Sequence, residues 1–93
     1  MDILSVEGAQ HLGISGLTFE GGGNGLVLRN CGGRISGNAF LLQEKTGLFA
    51  LDSRGLEISG NHVHDIGNNG IQVWTSEKRE DGTLVINNRV ERI

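Results

Sequence analysis

The chain has 93 residues, enough for one domain and close to the length at which a conventional core is marginal. Its 16 glycines and the absence of proline exclude collagen and proline-rich disorder, so the glycines are expected to serve turns. The net charge of −3, with no run of Lys or Arg, argues against nucleic acid as a partner, and no apolar run approaches the length of a membrane span.

A first motif recurs along the chain at a nearly constant spacing. It is a Gly followed by alternating apolar residues, and it starts at Gly25, Gly47 and Gly70, so the steps are 22 and 23 residues. Counting back by the same step predicts a further copy over residues 3–7. Alternation of apolar and polar residues is typical of strands with one buried face.

A second motif has the sequence Ile-Ser-Gly-Asn with an apolar residue two places later. Close copies lie at 35–40 and 58–63, a looser copy at 14–19 and a weaker one at 85–90, with steps of 21, 23 and 27 residues. No stretch has helical periodicity. A period of this length built from strands and turns predicts a β-solenoid in which one repeat forms one coil, so residues 1–93 form a single all-β domain.

Strand alternation also predicts which side chains point into the solenoid. The bends are expected to place Gly and Asn at positive φ, and the Asn side chains to stack along the coils as a hydrogen-bonded ladder. The predicted inner walls are Leu26, Leu28, Leu48, Ala50, Ile71 and Val73, then Ile14, Ile35, Ile58 and Val85, and finally Phe19, Phe40, Val63 and Val90.

The repeats resemble the right-handed parallel β-helix of pectin-lyase-like proteins. The copies at 35–40 and 58–63 carry this resemblance, together with Asn-Gly-apolar-x-apolar at 24–28 and 69–73. The resemblance covers nearly the whole chain and implies an all-β, right-handed parallel β-helix of about four coils of ~21–27 residues, a segment of a longer solenoid. Such a repeat encodes coils and turns rather than chemistry.

A narrower resemblance bears on location. Residues 56–93 resemble an uncharacterised group of bacterial repeat proteins that are exported by the twin-arginine route. This resemblance implies a periplasmic or extracellular location, although the first residues lack the basic and apolar regions of a signal peptide.

The outward face of the first strand column is unusually apolar. Phe49 and Trp74 are predicted to form a platform for a sugar ring, with Arg29 and Gln72 beside them. A polysaccharide is therefore one expected partner. Alternatively, a loop or another chain covers this face, because exposed apolar patches often mark interfaces. Self-association through the strand edges at the solenoid ends is a further expectation.

Polar residues that are candidates for a functional site lie in a later strand and at a turn. His62 and His64 are two residues apart, so both are predicted to point outward, but two His alone make an incomplete zinc site and no metal is predicted. Asp65 alternates to the other side unless the strand ends at His64. Asp52 lies beside Arg54 at a turn. The alternative interpretation of these residues is a solvated outer face, and no cofactor is predicted.

Three functions are compatible with these observations. The first is a non-catalytic β-helix segment of an exported bacterial protein that binds polysaccharide. The second is a fragment of a polysaccharide lyase, glycoside hydrolase or epimerase whose catalytic residues lie largely elsewhere, and the third is a structural, self-associating solenoid. Several acids converging with Lys or Arg near Phe49 and Trp74 would favour the enzyme.

The charged stretch 75–82 is an insertion that either binds a partner or is solvated.

Overall fold

The computed structural model describes residues 2–75 and 82–93, and all of the regular secondary structure within them is β-strand. The strands repeat in groups of three, and each group forms one coil. Within the described residues, no helix is long and apolar enough to cross a membrane. The strands are β1 (Asp2–Glu7), β2 (Leu12–Ser15), β3 (Thr18–Glu20), β4 (Asn24–Arg29), β5 (Gly33–Ser36), β6 (Ala39–Leu41), β7 (Thr46–Leu51), β8 (Leu56–Ser59), β9 (His62–His64), β10 (Asn69–Trp74), β11 (Leu84–Ile86) and β12 (Arg89–Glu91).

The strands stack into three parallel sheets. Sheet A has the order β1-β4-β7-β10, sheet B the order β2-β5-β8-β11, and sheet C the order β3-β6-β9-β12. Each strand therefore pairs with the strand one coil away rather than with its neighbour in the chain. The repeats align in register, with Ile35 opposite Ile58 and Phe40 opposite Val63. The predicted all-β solenoid of four coils is confirmed.

The core is a column of apolar side chains that runs through the coils. Leu26, Leu28, Ile35, Phe40 and Ile58 have no exposed surface. The Phe19 and Phe40 rings stack face to face, with centroids 4.8 Å apart and planes at 7°. Full burial of each such side chain stabilises the fold by roughly 1.5–3 kcal/mol.

The side chains of the inner walls become more exposed at the fourth coil. Val73, Val85 and Val90 continue the walls in register, as predicted, but they are exposed by 39%, 45% and 47%. The fourth coil is covered by a neighbouring coil on one side only, which leaves the other side of these residues open. The interior is therefore best packed in the second and third coils.

The glycines at the second position of β4, β7 and β10 serve close packing rather than turning. Gly25, Gly47 and Gly70 do not have positive φ. A Cβ on Gly25 would lie 2.5 Å from the carbonyl oxygen of Gly47, and a Cβ on Gly47 would lie 2.8 Å from that of Gly70. Neighbouring coils approach so closely here that only Gly fits. The expectation that these glycines serve turns is wrong for this column.

At the bends that precede β6, β9 and β12 of sheet C, one residue takes the positive φ and the Asn that follows it does not. Gly37 and Gly60 take the positive φ, at 66° and 63°, and Asn87 takes it in the fourth coil, at 54°. Asn38 and Asn61 were also expected to have positive φ, and this prediction is wrong, because the residue before each of them already makes the bend.

The bend asparagines instead form a ladder along the solenoid. Asn38 Nδ2 donates to Asn61 Oδ1 at 3.1 Å, and Asn61 Nδ2 donates to Asn88 Oδ1 at 3.0 Å. Each of the three Asn side chains also donates to the carbonyl of an Ile one coil back, as Asn61 Nδ2 does to Ile35 at 3.0 Å. The predicted ladder is confirmed, and it satisfies buried polar groups that would otherwise be costly.

Candidate functional site

A small groove lies on the outer face of sheet A. Its volume is about 100 Å³, well below the roughly 300–1,000 Å³ of pockets that enclose a small-molecule ligand. The groove can therefore receive one part of a ligand whose remainder lies on the surface. The side chains that line it come from the first three coils: Asp2, Asn24, Val27, Arg29, Phe49 and Leu51.

The groove has an apolar floor because outward positions of successive coils stack in register. Val27 pairs with Phe49, and Arg29 pairs with Leu51. Val27 alternates with the inward Leu26 and Leu28, yet it is only 3% exposed. It lies on the outer face, in the column between Ser5 and Phe49. Phe49 itself is partly buried, and its side chain lines the groove.

Polar groups lie at the edges of this floor. The Arg29 guanidinium is exposed and its Nη1 donates to Ser5 Oγ at 3.5 Å. Asn24 Nδ2 donates to Asp2 Oδ1 at 2.8 Å. Of the described residues that line the groove, Asp2 is the only carboxylate and Arg29 the only cation. The groove thus offers hydrogen-bonding groups around an apolar surface.

The other two residues predicted for this face lie on the fourth coil. Gln72 is in register with Phe49, and Trp74 is in register with Leu51. Gln72 Oε1 accepts a hydrogen bond from Asn69 Nδ2 at 3.2 Å. Trp74 is 50% exposed and lies in the column next to that of Phe49. The structure places Arg29 and Phe49 in the groove and sets Gln72 and Trp74 beside it.

A second cluster of polar side chains lies on the outer face of sheet C. His62 and His64 point to the same side of β9, and their ring centroids are 4.5 Å apart. Glu91, one coil on, accepts at Oε1 from His62 Nε2 at 2.7 Å. His64 Nδ1 lies 2.7 Å from Asp65 Oδ2. Each imidazole is therefore held by its own carboxylate.

Backbone geometry explains how Asp65 joins this cluster. The strand ends at His64, and Asp65 has a φ of 56°, so its carboxylate turns back to the side of the histidines. Arg92 Nε and Nη2 donate to the two carboxylate oxygens at 2.8 and 3.0 Å. The hydrogen bonds from Arg92 and then His64 hold the pKa of Asp65 far below its usual range. The hydrogen bond from His62 likewise lowers the pKa of Glu91.

Asp52 belongs to neither cluster. It follows β7 at a corner with a φ of 48°, and its N–H donates to the Trp74 carbonyl at 2.9 Å. Arg54 is exposed nearby in the chain. Asp52 therefore has a structural position at a corner between sheets. Of the charged insertion, residues 76–81 lie outside the described residues.

Sequence reasoning missed three members of the second cluster, namely Arg89, Glu91 and Arg92. The signal was present in the weaker repeat copy, because the 27-residue step places Arg89 opposite His62 and Glu91 opposite His64. Arg89 Nε lies 3.3 Å from Glu91 Oε1. In the part of the chain that the structure describes, no three His, Cys, Asp or Glu side chains form a metal-binding group.

Comparison with known proteins gives one match. A family model described as a right handed beta helix region matches residues 2–93. No curated protein and no solved structure matches significantly. The match covers all of the strands described above, including those that form the groove and the His–carboxylate cluster.

Proposed function

The chain belongs to the right-handed β-helix family, and from this membership we propose that it is a non-catalytic solenoid segment that binds polysaccharide through the outer face of sheet A. The proposed setting is an exported bacterial protein, in the periplasm or outside the cell. The resemblance of residues 56–93 to exported repeat proteins supports this location.

The observation that carries the proposal is the apolar groove beside Phe49. A sugar ring has an apolar face of C–H groups, which pack favourably against an aromatic ring. Phe49 and Leu51 supply such a surface, while Arg29 and the Asp2–Asn24 pair offer donors and acceptors at its edges. A substituent of a sugar would enter the groove, and neighbouring sugars would extend along the column towards Trp74.

The same groove favours binding over catalysis. Glycoside hydrolysis uses two carboxyl groups that flank the bond to be broken. Among the described residues that line the groove, Asp2 is the only acid, and it is already hydrogen-bonded to Asn24. The convergence of several acids that would favour an enzyme is therefore not found among the described residues that line the groove.

The proposal is tested by affinity electrophoresis against a panel of acidic and neutral polysaccharides. Wild-type protein should be retarded by at least one of them, and Phe49→Ala or Trp74→Ala should bind roughly three- to tenfold more weakly, the range expected for loss of an aromatic contact. Leu17→Ala is the matched control, because Leu17 is exposed at the bend between β2 and β3. Binding that is equally strong in wild type and Phe49→Ala would refute the proposal, as would a wild type that binds nothing in the panel.

Exposed apolar residues at the fourth coil favour a second candidate function, self-association with another copy. β10, β11 and β12 are the last strands of the three sheets, and each has one neighbouring strand. Val85, Val90 and Ile93 are about half exposed beside these edges. Light scattering after size exclusion should then show a mass that rises with concentration, and Val85→Lys should lower it. A constant monomer mass would exclude this function.

A further inference from the structure

We propose that His62 and His64 form a binding site for a divalent transition metal ion of the nickel, copper and zinc group. The site would use two imidazole ligands and leave the remaining coordination positions to water or to ligand oxygens. It lies on sheet C, whereas the polysaccharide groove lies on sheet A. A negative result for one proposal therefore leaves the other unaffected.

The strand brings the two rings together. Residues two apart in a strand project to the same face, and here the ring centroids are 4.5 Å apart with planes at 35°. Val63, between them, is fully buried and fixes the orientation of β9 on the core. The two rings thus sit side by side on a rigid element, which keeps both imidazoles close enough to serve one site.

Each imidazole already has the partner that metal-binding histidines usually have. Metal-ligating His generally donates its other ring N–H to a carboxylate or carbonyl, which sets the tautomer and strengthens the ligand. His62 Nε2 lies 2.7 Å from Glu91, and His64 Nδ1 lies 2.7 Å from Asp65.

The remaining ring nitrogens are the predicted ligand atoms. Because the Glu91 carboxylate accepts a hydrogen bond from His62 Nε2, that nitrogen keeps the proton and the lone pair of the neutral ring lies on Nδ1. Arg92 Nη2 lies 3.4 Å from His64 Nδ1, but the contact with Asp65 is shorter, so Nδ1 carries the proton and the lone pair lies on Nε2. No described residue hydrogen-bonds to His62 Nδ1 or His64 Nε2.

Imidazole selects the class of metal. Neutral imidazole suits zinc, copper and nickel, whereas magnesium and calcium prefer oxygen ligands. The carboxylates Asp65 and Glu91 are engaged by Arg92, His64 and His62, so they act as orienting partners rather than as first ligands. Cys31 is fully buried and does not compete for the ion.

The test is a calorimetric titration of tag-free protein with zinc chloride, repeated with nickel and magnesium chloride. Wild type should bind one zinc or nickel ion saturably and bind no magnesium at this site. His62→Ala/His64→Ala should lose this binding, and His11→Ala, which removes an exposed histidine elsewhere, should keep it. Circular dichroism confirms that each variant is folded.

The orienting carboxylates give a second readout. Glu91→Gln and Asp65→Asn should each weaken zinc binding by about 10–100-fold, the usual effect of removing such a partner. Nitrogen NMR of the imidazoles should show the largest zinc-dependent shifts at His62 Nδ1 and His64 Nε2. Zinc affinity that is unchanged in the double His variant would overturn the proposal, as would a wild-type titration without saturable heat.

Discussion

Asn61 is hydrogen-bonded to the same residue type on both sides, accepting from Asn38 Nδ2 at 3.1 Å and donating to Asn88 Oδ1 at 3.0 Å. Its Oδ1 also accepts from the Asn38 N–H at 3.0 Å, and its Nδ2 donates to the Ile35 carbonyl. Asn61 is 1% exposed, so water cannot replace these partners. This one side chain connects three coils through their backbone and side-chain amides.

Asn61→Ala should therefore lower the free energy of unfolding by about 3 kcal/mol or more, because it removes several hydrogen bonds and leaves the buried Asn38 N–H without an acceptor. Urea unfolding followed by circular dichroism measures this change. Asn68→Ala is the matched control at an exposed site, where a change within about 0.5 kcal/mol is expected. Equal unfolding midpoints for the two variants would contradict the importance of the ladder.

Gly47→Ala should destabilise the fold by about 1–3 kcal/mol through overpacking. The added Cβ would lie 2.8 Å from the Gly70 carbonyl oxygen and 3.0 Å from Val63 Cγ1. Gly13→Ala is the control, since Gly13 lies in β2, lacks positive φ, and has nothing within 4 Å of the added methyl group. It should be neutral or slightly stabilising, because Ala restricts the unfolded chain. Thermal unfolding that ranks the two variants the other way would refute this account of the Gly column.

Arg92→Ala should raise the pKa of Asp65 towards its ordinary value, because Arg92 supplies the largest of the effects that lower it. The folded pKa of Asp65 lies below the unfolded one. Its carboxylate thus stabilises the fold above the unfolded pKa of about 4, and this contribution is lost as the pH falls through the folded pKa. Carbon NMR of the Asp65 carboxyl group, followed through an acid titration, measures the shift.

The matching control for this titration is Arg54→Ala, which removes an exposed guanidinium that takes no part in the cluster. It should leave the titration of Asp65 unchanged. The acid-linked loss of stability should also be smaller in Arg92→Ala than in wild type. An Asp65 midpoint that is the same in both variants would show that His64 alone depresses the pKa.

The sequence was sufficient to predict the coil and much of its register. The spacing of the Ile-Ser-Gly-Asn copies placed Ile35 over Ile58 and Asn38 over Asn61, as the structure shows. The register of a repeat can be predicted from sequence because every copy needs an inward apolar residue and a bend at the same positions. The Asn ladder could be anticipated for the same reason.

Features that depend on distances between coils could not be read from spacing alone. The role of Gly47 follows from the approach of the Gly70 carbonyl, which no local pattern encodes. Alternation left two directions open for Asp65, depending on whether the strand ends at His64, and the end of β9 at His64 together with a positive φ decides between them. The burial of Val27 likewise results from neighbours that are more than twenty residues away in the chain.

The glycine column has a consequence for how such a chain can grow. The third coil contributes both halves of the contact: Gly47 makes room for the Gly70 carbonyl, and the Gly47 carbonyl fills the room beside Gly25. A tandem duplication that begins at Gly25 or Gly47 and runs to the residue before the next such glycine inserts a complete coil with both halves in place. Genetic copying of that segment can lengthen the rod without any compensating substitution.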